Sequence, residues 1–252
     1  MERRHQMMID QASILAFSKL HPKYVVAYGG DGTVLNVVKD NPNKSIIPIR
    51  NYGLCEKHQQ MYDKLLSNDS VLCNNILKNV DRVQCHYLKW MFKDKTQYGI
   101  SEVVVKNCDP TSAIRFNLSV NGSYIVKNAI ADGLIASTTY GSTGYFKSIS
   151  RCSFSCGGIG LAFIAPMQNL STGIYPTESQ IVIEFVRNAT IIATADKSIE
   201  QLCMSNGDAI CIQQSTNAVE LVGLKDFHCN CCRMLRHAAN ENGETIEDLY
   251  IK

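Results

Sequence analysis

The sequence predicts an α/β domain followed by a β-rich one, and three observations predict it. Apolar, β-prone runs alternate with helical patterns between Tyr24 and Leu77; near Arg82 the character changes to a succession of strand-like segments; and Asn121-Gly122 stands between two of these, where a tight hairpin turn belongs. The expected organisation is an α/β domain over 1–80, a β domain over 81–226, and a tail over 227–252 that can return to the first domain.

Residues 7–20 carry Met7, Met8, Gln11, Ile14, Leu15, Phe17 and Ser18 at helical spacing, ended by His21-Pro22. Tyr24 to Tyr28 is a strand that stops at Gly29-Gly30, and Val34, Leu35, Val37 and Val38 open a helix from Thr33. Asn41-Pro42-Asn43 is a turn, Ile46 to Ile49 a second strand, and residues 56–66 and 71–77 are helical. Strands are then expected over 83–92, 103–105, 114–120, 181–186, 190–195, 209–213 and 218–224, with a short helix over 233–239. No internal repeat is visible.

The turn Gly29-Gly30-Asp31-Gly32-Thr33 joins a strand to a helix N-terminus. Glycines bring backbone N–H groups close to a polyphosphate, and the helix end adds partial positive charge. Asp31 is the odd member, because phosphates repel a carboxylate unless it binds a metal or takes a proton from an attacking hydroxyl. The structural alternative is an Asp serving as N-cap. A hundred residues later, Asp132-Gly133-Leu134-Ile135-Ala136 runs into the hydroxyl-rich turn Ser137-Thr138-Thr139-Tyr140-Gly141-Ser142-Thr143-Gly144-Tyr145. Such a turn presents donors and acceptors to a sugar or base; Asp132 suits a ribose or amide donor, Gly141 permits close backbone approach, and Tyr145 can stack on a nucleotide. The alternative here is a solvated loop rich in Ser and Thr.

Together the two motifs resemble the signatures of the NAD kinase family. Ser101-Glu102, Asn51-Tyr52-Gly53, Gly157-Gly158 with Ile164-Ala165-Pro166, and Asp196 with Gly207-Asp208 extend the resemblance over about 24–213. It implies ATP-dependent phosphorylation of the 2′-hydroxyl of the adenosine ribose of NAD, giving NADP, with Mg2+ carried by ATP. It implies a β-sandwich for the second domain, an active site in the crevice between domains, and a homodimer or homotetramer. Asp31 is then the catalytic base; Gly29, Gly30, Gly32, Thr33 and Asn51 hold the phosphates of ATP or polyphosphate; Ser101, Glu102, Asp132, Thr143, Tyr145, Ser148, Ala165 and Asp196 bind NAD. The chain departs from the family pattern at Thr139-Tyr140, where the family has Pro-Thr, at Ser101 for Asn, at Lys197 for Gly, and in an N-terminal part trimmed of its first strand. A lipid kinase of the diacylglycerol or sphingosine type shares the first motif but has no need of the second. A non-catalytic nucleotide-binding protein of the same fold is the other alternative.

With 252 residues, 45% of them hydrophobic and 19% charged, the chain has the composition of a globular protein. A formal net charge of +2 and no run of five basic residues give no footprint for nucleic acid. No 18-residue apolar run is present, so no membrane association is expected, and the cytoplasm is the expected location. Eleven cysteines, odd in number and irregular in spacing, read as reduced thiols. His228-Cys229-Asn230-Cys231-Cys232 is the one cluster suited to a metal, but it lacks a second half at zinc-finger spacing, so no protein-held metal is expected.

Overall fold

The computed structural model describes residues 9–241. In chain order the elements begin with α1 (Gln11–Leu20), β1 (Tyr24–Tyr28), α2 (Asp31–Asp40), β2 (Ser45–Ile49), α3 (Glu56–Leu65), α4 (Ser70–Asn79), β3 (Arg82–Phe92) and β4 (Lys95–Gly99). They continue with β5 (Glu102–Asn107), β6 (Ile114–Val120), β7 (Ser123–Ala131), β8 (Gly133–Ser137), a 3-10 turn (Gly141–Thr143), α5 (Tyr145–Ser150), β9 (Ile159–Ile164) and β10 (Gly173–Tyr175). The last are β11 (Gln180–Phe185), β12 (Ala189–Ala195), β13 (Ser198–Met204), β14 (Ala209–Val222), α6 (Leu224–Phe227) and α7 (Asn230–Glu241). Residues 9–84 and 219–241 form one compact unit, and residues 85–218 a second.

In the first unit β1 and β2 are parallel, Tyr24 opposite Ser45 through Tyr28 opposite Ile49, and Leu221 lies beside Ile46 on the far edge of β2. All five residues of β2 are buried, as in a strand covered on both faces. Its core joins Phe17, Val26, Ile47, Ile49, Tyr62, Leu65, Cys73, Leu77 and Val222. The Asp10 carboxylate caps α1 by accepting from the Ser13 N–H, and the Asp69 carboxylate caps α4 by accepting from Val71 and Leu72. Met7 and Met8, expected at the start of the first helix, lie outside the described residues.

The second unit packs two sheets face to face. One has the order β10-β9-β8-β5-β12-β13, and the other contains β14-β11-β6-β7 with β3 and β4. Between them lies a core that includes Trp90, Phe116, Ile181, Ile210 and Phe185 from one sheet and Val103, Val105, Leu134, Leu161 and Ala193 from the other. Asn121 (φ +51) and Gly122 (φ +80) make the two-residue turn between β6 and β7. The expected strands at 209–213 and 218–224 are one continuous strand, β14, since the intervening Gln214-Ser215-Thr216-Asn217 contains neither Gly nor Pro to break it. The first sheet is buried on both faces: Val103 and Val105 point into the sandwich, whereas Val104, Ile135 and Ala162 point outward to Phe146 of α5 and Phe154. That outer packing fixes α5, and with it the second motif.

Candidate active site

In the first unit the glycine turn follows directly from β1. The Gly29 N–H donates to the Ile49 carbonyl at 2.8 Å, and a Cβ on Gly29 (φ +155) would stand 2.3 Å from Thr33 Oγ1. Only glycine allows the Thr33 side chain to fold over the turn there. Gly30 is the N-cap of α2 and Asp31 its first residue, so the Asp31 carboxylate is not the cap. It turns instead to Arg50, whose Nη2 donates to both oxygens at 3.0 and 3.2 Å, and to His228, whose Nε2 stands 3.4 Å away.

Arg50 is 13% exposed and stacks on the Phe227 ring at 3.8 Å, while Asp31 remains 58% exposed. Burial acts to raise the Asp31 pKa, but the hydrogen bond to His228 and the charge of Arg50 outweigh it and hold the carboxyl at about 2. Arg50 Nε and Arg236 Nη1 are buried without a hydrogen-bond partner in the described structure. The Arg236 stem lies against Gly53, where a Cβ would stand 2.3 Å from its Cγ. Burial, followed by repulsion from Arg50, lowers the Arg236 pKa. Two guanidinium groups with unused donors beside a glycine turn are suited to phosphate oxygens. Asn51 continues the chain from Arg50, its carbonyl 3.4 Å from the Tyr28 hydroxyl. Sequence reasoning missed Arg50, Arg236 and His228. Arg50 adjoins the expected Asn51, but nothing in the sequence ties residues 228 and 236 to residue 31.

In the second unit the hydroxyls of the turn divide into two kinds. Thr138 Oγ1 donates to the Ile100 carbonyl at 2.6 Å and accepts from the Gly141 N–H at 3.1 Å. Ser142 Oγ donates to the Thr139 carbonyl at 2.8 Å and accepts from the Phe154 N–H at 3.3 Å. A Cβ on Gly141 would meet the Ser101 carbonyl oxygen at 2.1 Å, so the turn is pressed onto Ser101. These buried hydroxyls are spent on the fold, and the expectation that the whole Ser/Thr run faces a ligand is corrected accordingly. Thr143, Tyr145 and Ser148 are exposed, with Ser148 Oγ donating to the Tyr145 carbonyl at 2.8 Å. Tyr145 is 42% exposed on the same short helix whose Phe146 is fully buried. Asp132 is exposed in the bend between β7 and β8, and Ala165 follows β9 at φ +45, a left-handed conformation that a non-glycine residue adopts at some cost.

Asp196 differs from the expected contact with NAD. At φ +50 in the hairpin between β12 and β13, its carboxylate accepts from the backbone N–H groups of Ile100 (2.7 Å), Ser101 (3.0 Å) and Glu102 (2.9 Å). It holds the start of β5 and so positions Ser101 and Glu102. Glu102 Oε2 is buried with no partner among the described residues. Burial, the largest influence, raises the Glu102 carboxyl to about 7, opposed by the Phe146 N–H and reinforced by the Asp196 charge. An unpaired acceptor of this kind fits a hydroxyl of a bound sugar.

The family model for the ATP-NAD kinase C-terminal domain matches residues 100–224. The chain belongs to the NAD kinase family. Within this NAD kinase family member the matched stretch contains every residue expected on the NAD side, from Ser101 to Asp196. The chain is 29% identical to an NAD kinase of Borreliella burgdorferi over 58% of its own length and 52% of the relative's, and 24% identical to an NAD kinase of Koribacter versatilis over 86% and 77%. It therefore spans about half the length of the Borreliella relative. Among solved structures, yeast NADH kinase complexed with NADH superposes with a TM-score of 0.67 at 16% identity, covering 89% of this chain and 67% of that one. An NAD kinase from Archaeoglobus fulgidus in complex with ATP gives 0.64 at 20%, covering 84% and 83%. The fold is that of the NAD kinases. Among the described residues no helix is long and apolar enough to cross a membrane.

Proposed function

We propose that this protein phosphorylates the 2′-hydroxyl of the adenosine ribose of NAD, with ATP as donor, to give NADP. The observation that carries the reading is Asp31: an ionised carboxylate turned away from its own helix end, inside a glycine turn and beside two guanidinium groups with unused donors. In this reading the N–H groups at the start of α2, with Arg50 and Arg236, take the donor phosphates. Phosphate oxygens compete with Asp31 for Arg50, leaving the carboxylate to accept the proton of the 2′-hydroxyl. As the ribose oxygen bonds to the γ-phosphorus, the bond to ADP breaks and the proton passes to Asp31. On the other unit Glu102 Oε2 accepts from a ribose hydroxyl, Asp132 takes a second donor, and Tyr145 stacks on a ring. Ser101, Thr143, Ser148 and Ala165 belong to the NAD side in the same reading, and Asp196 holds Ser101 and Glu102 in place.

The hard oxygens of Asp31 and Thr33 are of the kind Mg2+ takes, so these residues fit a divalent ion arriving with ATP; when bound it neutralises charge on the transferring phosphoryl group. An assembly of two or four copies belongs to the same reading. The test is incubation of the purified protein with ATP, magnesium and either NAD or diacylglycerol, followed by an NADP-specific coupled assay and lipid chromatography. NADP formation supports the reading. Phosphatidate alone points to a lipid kinase, and neither product to a non-catalytic nucleotide-binding protein; either result overturns it.

A further inference from the structure

Cys55, His58, Cys229 and Cys232 converge in the first unit, their ligand atoms all within 4.8 Å of one another. This supplies the second half that the cysteine cluster lacks in the sequence, from residues about 170 positions earlier. The spacing is Cys-x-x-His at the start of α3, with Cys55 as its N-cap, and Cys-x-x-Cys at the start of α7. His58 Nδ1 lies 3.6 Å from Cys232 Sγ, within the roughly 3.5–3.8 Å that separates donors around a tetrahedral ion with bonds of about 2.0–2.3 Å, and 2.9 Å from Cys55 Sγ, a hydrogen-bond contact that an ion between them would lengthen.

The surroundings fit a metal as well as the donors do. His58 Nε2 pairs with Asp226 Oδ1 at 2.9 Å, which orients the ring and leaves Nδ1 to face the three sulfurs. The Cys55 N–H donates to Cys232 Sγ at 3.3 Å, as amides do toward metal-bound thiolates. His58 is 3% exposed and Cys232 fully buried, so the cluster is closed to solvent on that side. We propose that these four residues bind one structural zinc ion, which fastens the 226–232 segment to the start of α3. Three thiolates and one imidazole in a tetrahedral arrangement are a zinc donor set; an iron–sulfur cluster takes four cysteines, and magnesium or calcium takes oxygen. The ion acts by position: Phe227 under Arg50 and His228 at Asp31 lie within the stretch it anchors.

The test uses the intact protein, purified without added metal. Elemental analysis should find about one zinc per chain, and cobalt replacement should give the thiolate charge-transfer and intense visible bands of a tetrahedral sulfur-rich site. Thiol alkylation mapped by mass spectrometry should leave Cys55, Cys229 and Cys232 protected until a chelator is added, whereas the exposed Cys231 reacts from the outset. Cys232→Ser should lower zinc content at least about tenfold, and Cys231→Ser should leave it unchanged. Protein that neither carries zinc nor takes it up after reduction would overturn the proposal. So would iron or copper in its place, retention of zinc in Cys232→Ser, or its loss in Cys231→Ser. The cobalt spectrum and the alkylation map are read on the unmutated chain, so a poorly folding variant does not stop the decision.

Discussion

Asp31→Asn keeps the size of the side chain and one oxygen for Arg50 but cannot take a proton, and it separates the two carboxylates of the proposed site. Asp31 is held at about 2 and Glu102 is raised to about 7. At neutral pH the first is therefore fully ionised and the second is in mid-titration. A base of pKa about 2 is a weak proton acceptor in the ground state and acts late, as the ribose oxygen loses its hydrogen to the forming phosphate ester. The expected loss in kcat is about 10²–10⁴ with nucleotide affinity kept. The pH dependence makes the prediction sharper. Asp31 is ionised far below neutrality and Glu102 is not, so Asp31→Asn should lower the plateau of the pH–rate profile without moving the midpoint that Glu102 contributes. The assay is steady-state NADP formation from pH 5 to 9, with ATP and NAD binding measured separately by calorimetry. Turnover near that of the unmutated protein, or an acid limb that vanishes with Asp31, would refute the assignment. The same shift carries a stability statement. Because the folded pKa is depressed, the contribution of Asp31 is present above the ordinary carboxyl value of about 3.9 and lost as pH falls through about 2.

Glu102 has the opposite sign: its raised pKa favours the fold when the group is protonated, and that contribution is lost as pH rises from the ordinary value through about 7. If its ionised oxygen accepts a ribose hydroxyl, NAD affinity should fall about tenfold from pH 8 to pH 6 and become flat in Glu102→Gln; titration calorimetry at the two pH values checks it. Tyr145→Ala and Asp132→Ala should each weaken NAD binding by about 1–3 kcal/mol and leave ATP binding alone. If ATP affinity drops while NAD affinity holds, the two halves of the site have been exchanged. Asp196→Ala strips the acceptor from three backbone N–H groups, at a cost of about 3 kcal/mol or more and a fall in Tm of roughly 6–12 °C. A melting shift under about 2 °C would show that water replaces the carboxylate there.

Much of the fold was legible because it rests on local signals. The run Tyr24–Tyr28 stops at two glycines, residues 114–120 alternate cleanly between buried and half-buried, and Asn121-Gly122 names its own turn. What escaped was weakly patterned or non-local. β13, Ser-Ile-Glu-Gln-Leu-Cys-Met, buries only Leu202 and Met204, so its period is faint. Within the site, Asp31 could be singled out because a carboxylate inside a phosphate-binding turn needs a reason, and Glu102 only through the family resemblance. The role of Asp196 could not, since what sets it is three amides about ninety-five residues away in sequence. Thr138 and Ser142 looked like ligand-facing hydroxyls because composition does not distinguish a hydroxyl that meets a sugar from one that closes its own turn.

The segment 226–232 shows how a short stretch can serve two ends at once. Asp226, Cys229 and Cys232 recur every third residue, and all three face the cluster: Asp226 through His58 Nε2, the cysteines through sulfur. Phe227 and His228, between them in sequence, face the other way, one beneath Arg50 and the other toward Asp31. The division falls across the break between α6 and α7: Asp226 and Phe227 stand on α6, His228 and Cys229 in the break, and Cys232 on α7. Anchoring residues 226, 229 and 232 at three points therefore holds the backbone from which Phe227 and His228 project. Arg50 has a planar guanidinium on an aromatic ring, and rotation of that ring would carry its hydrogen bonds away from Asp31. A cluster that holds the backbone of residues 226–232 thus bears on the carboxylate proposed to accept the proton, although none of its ligands touches Asp31.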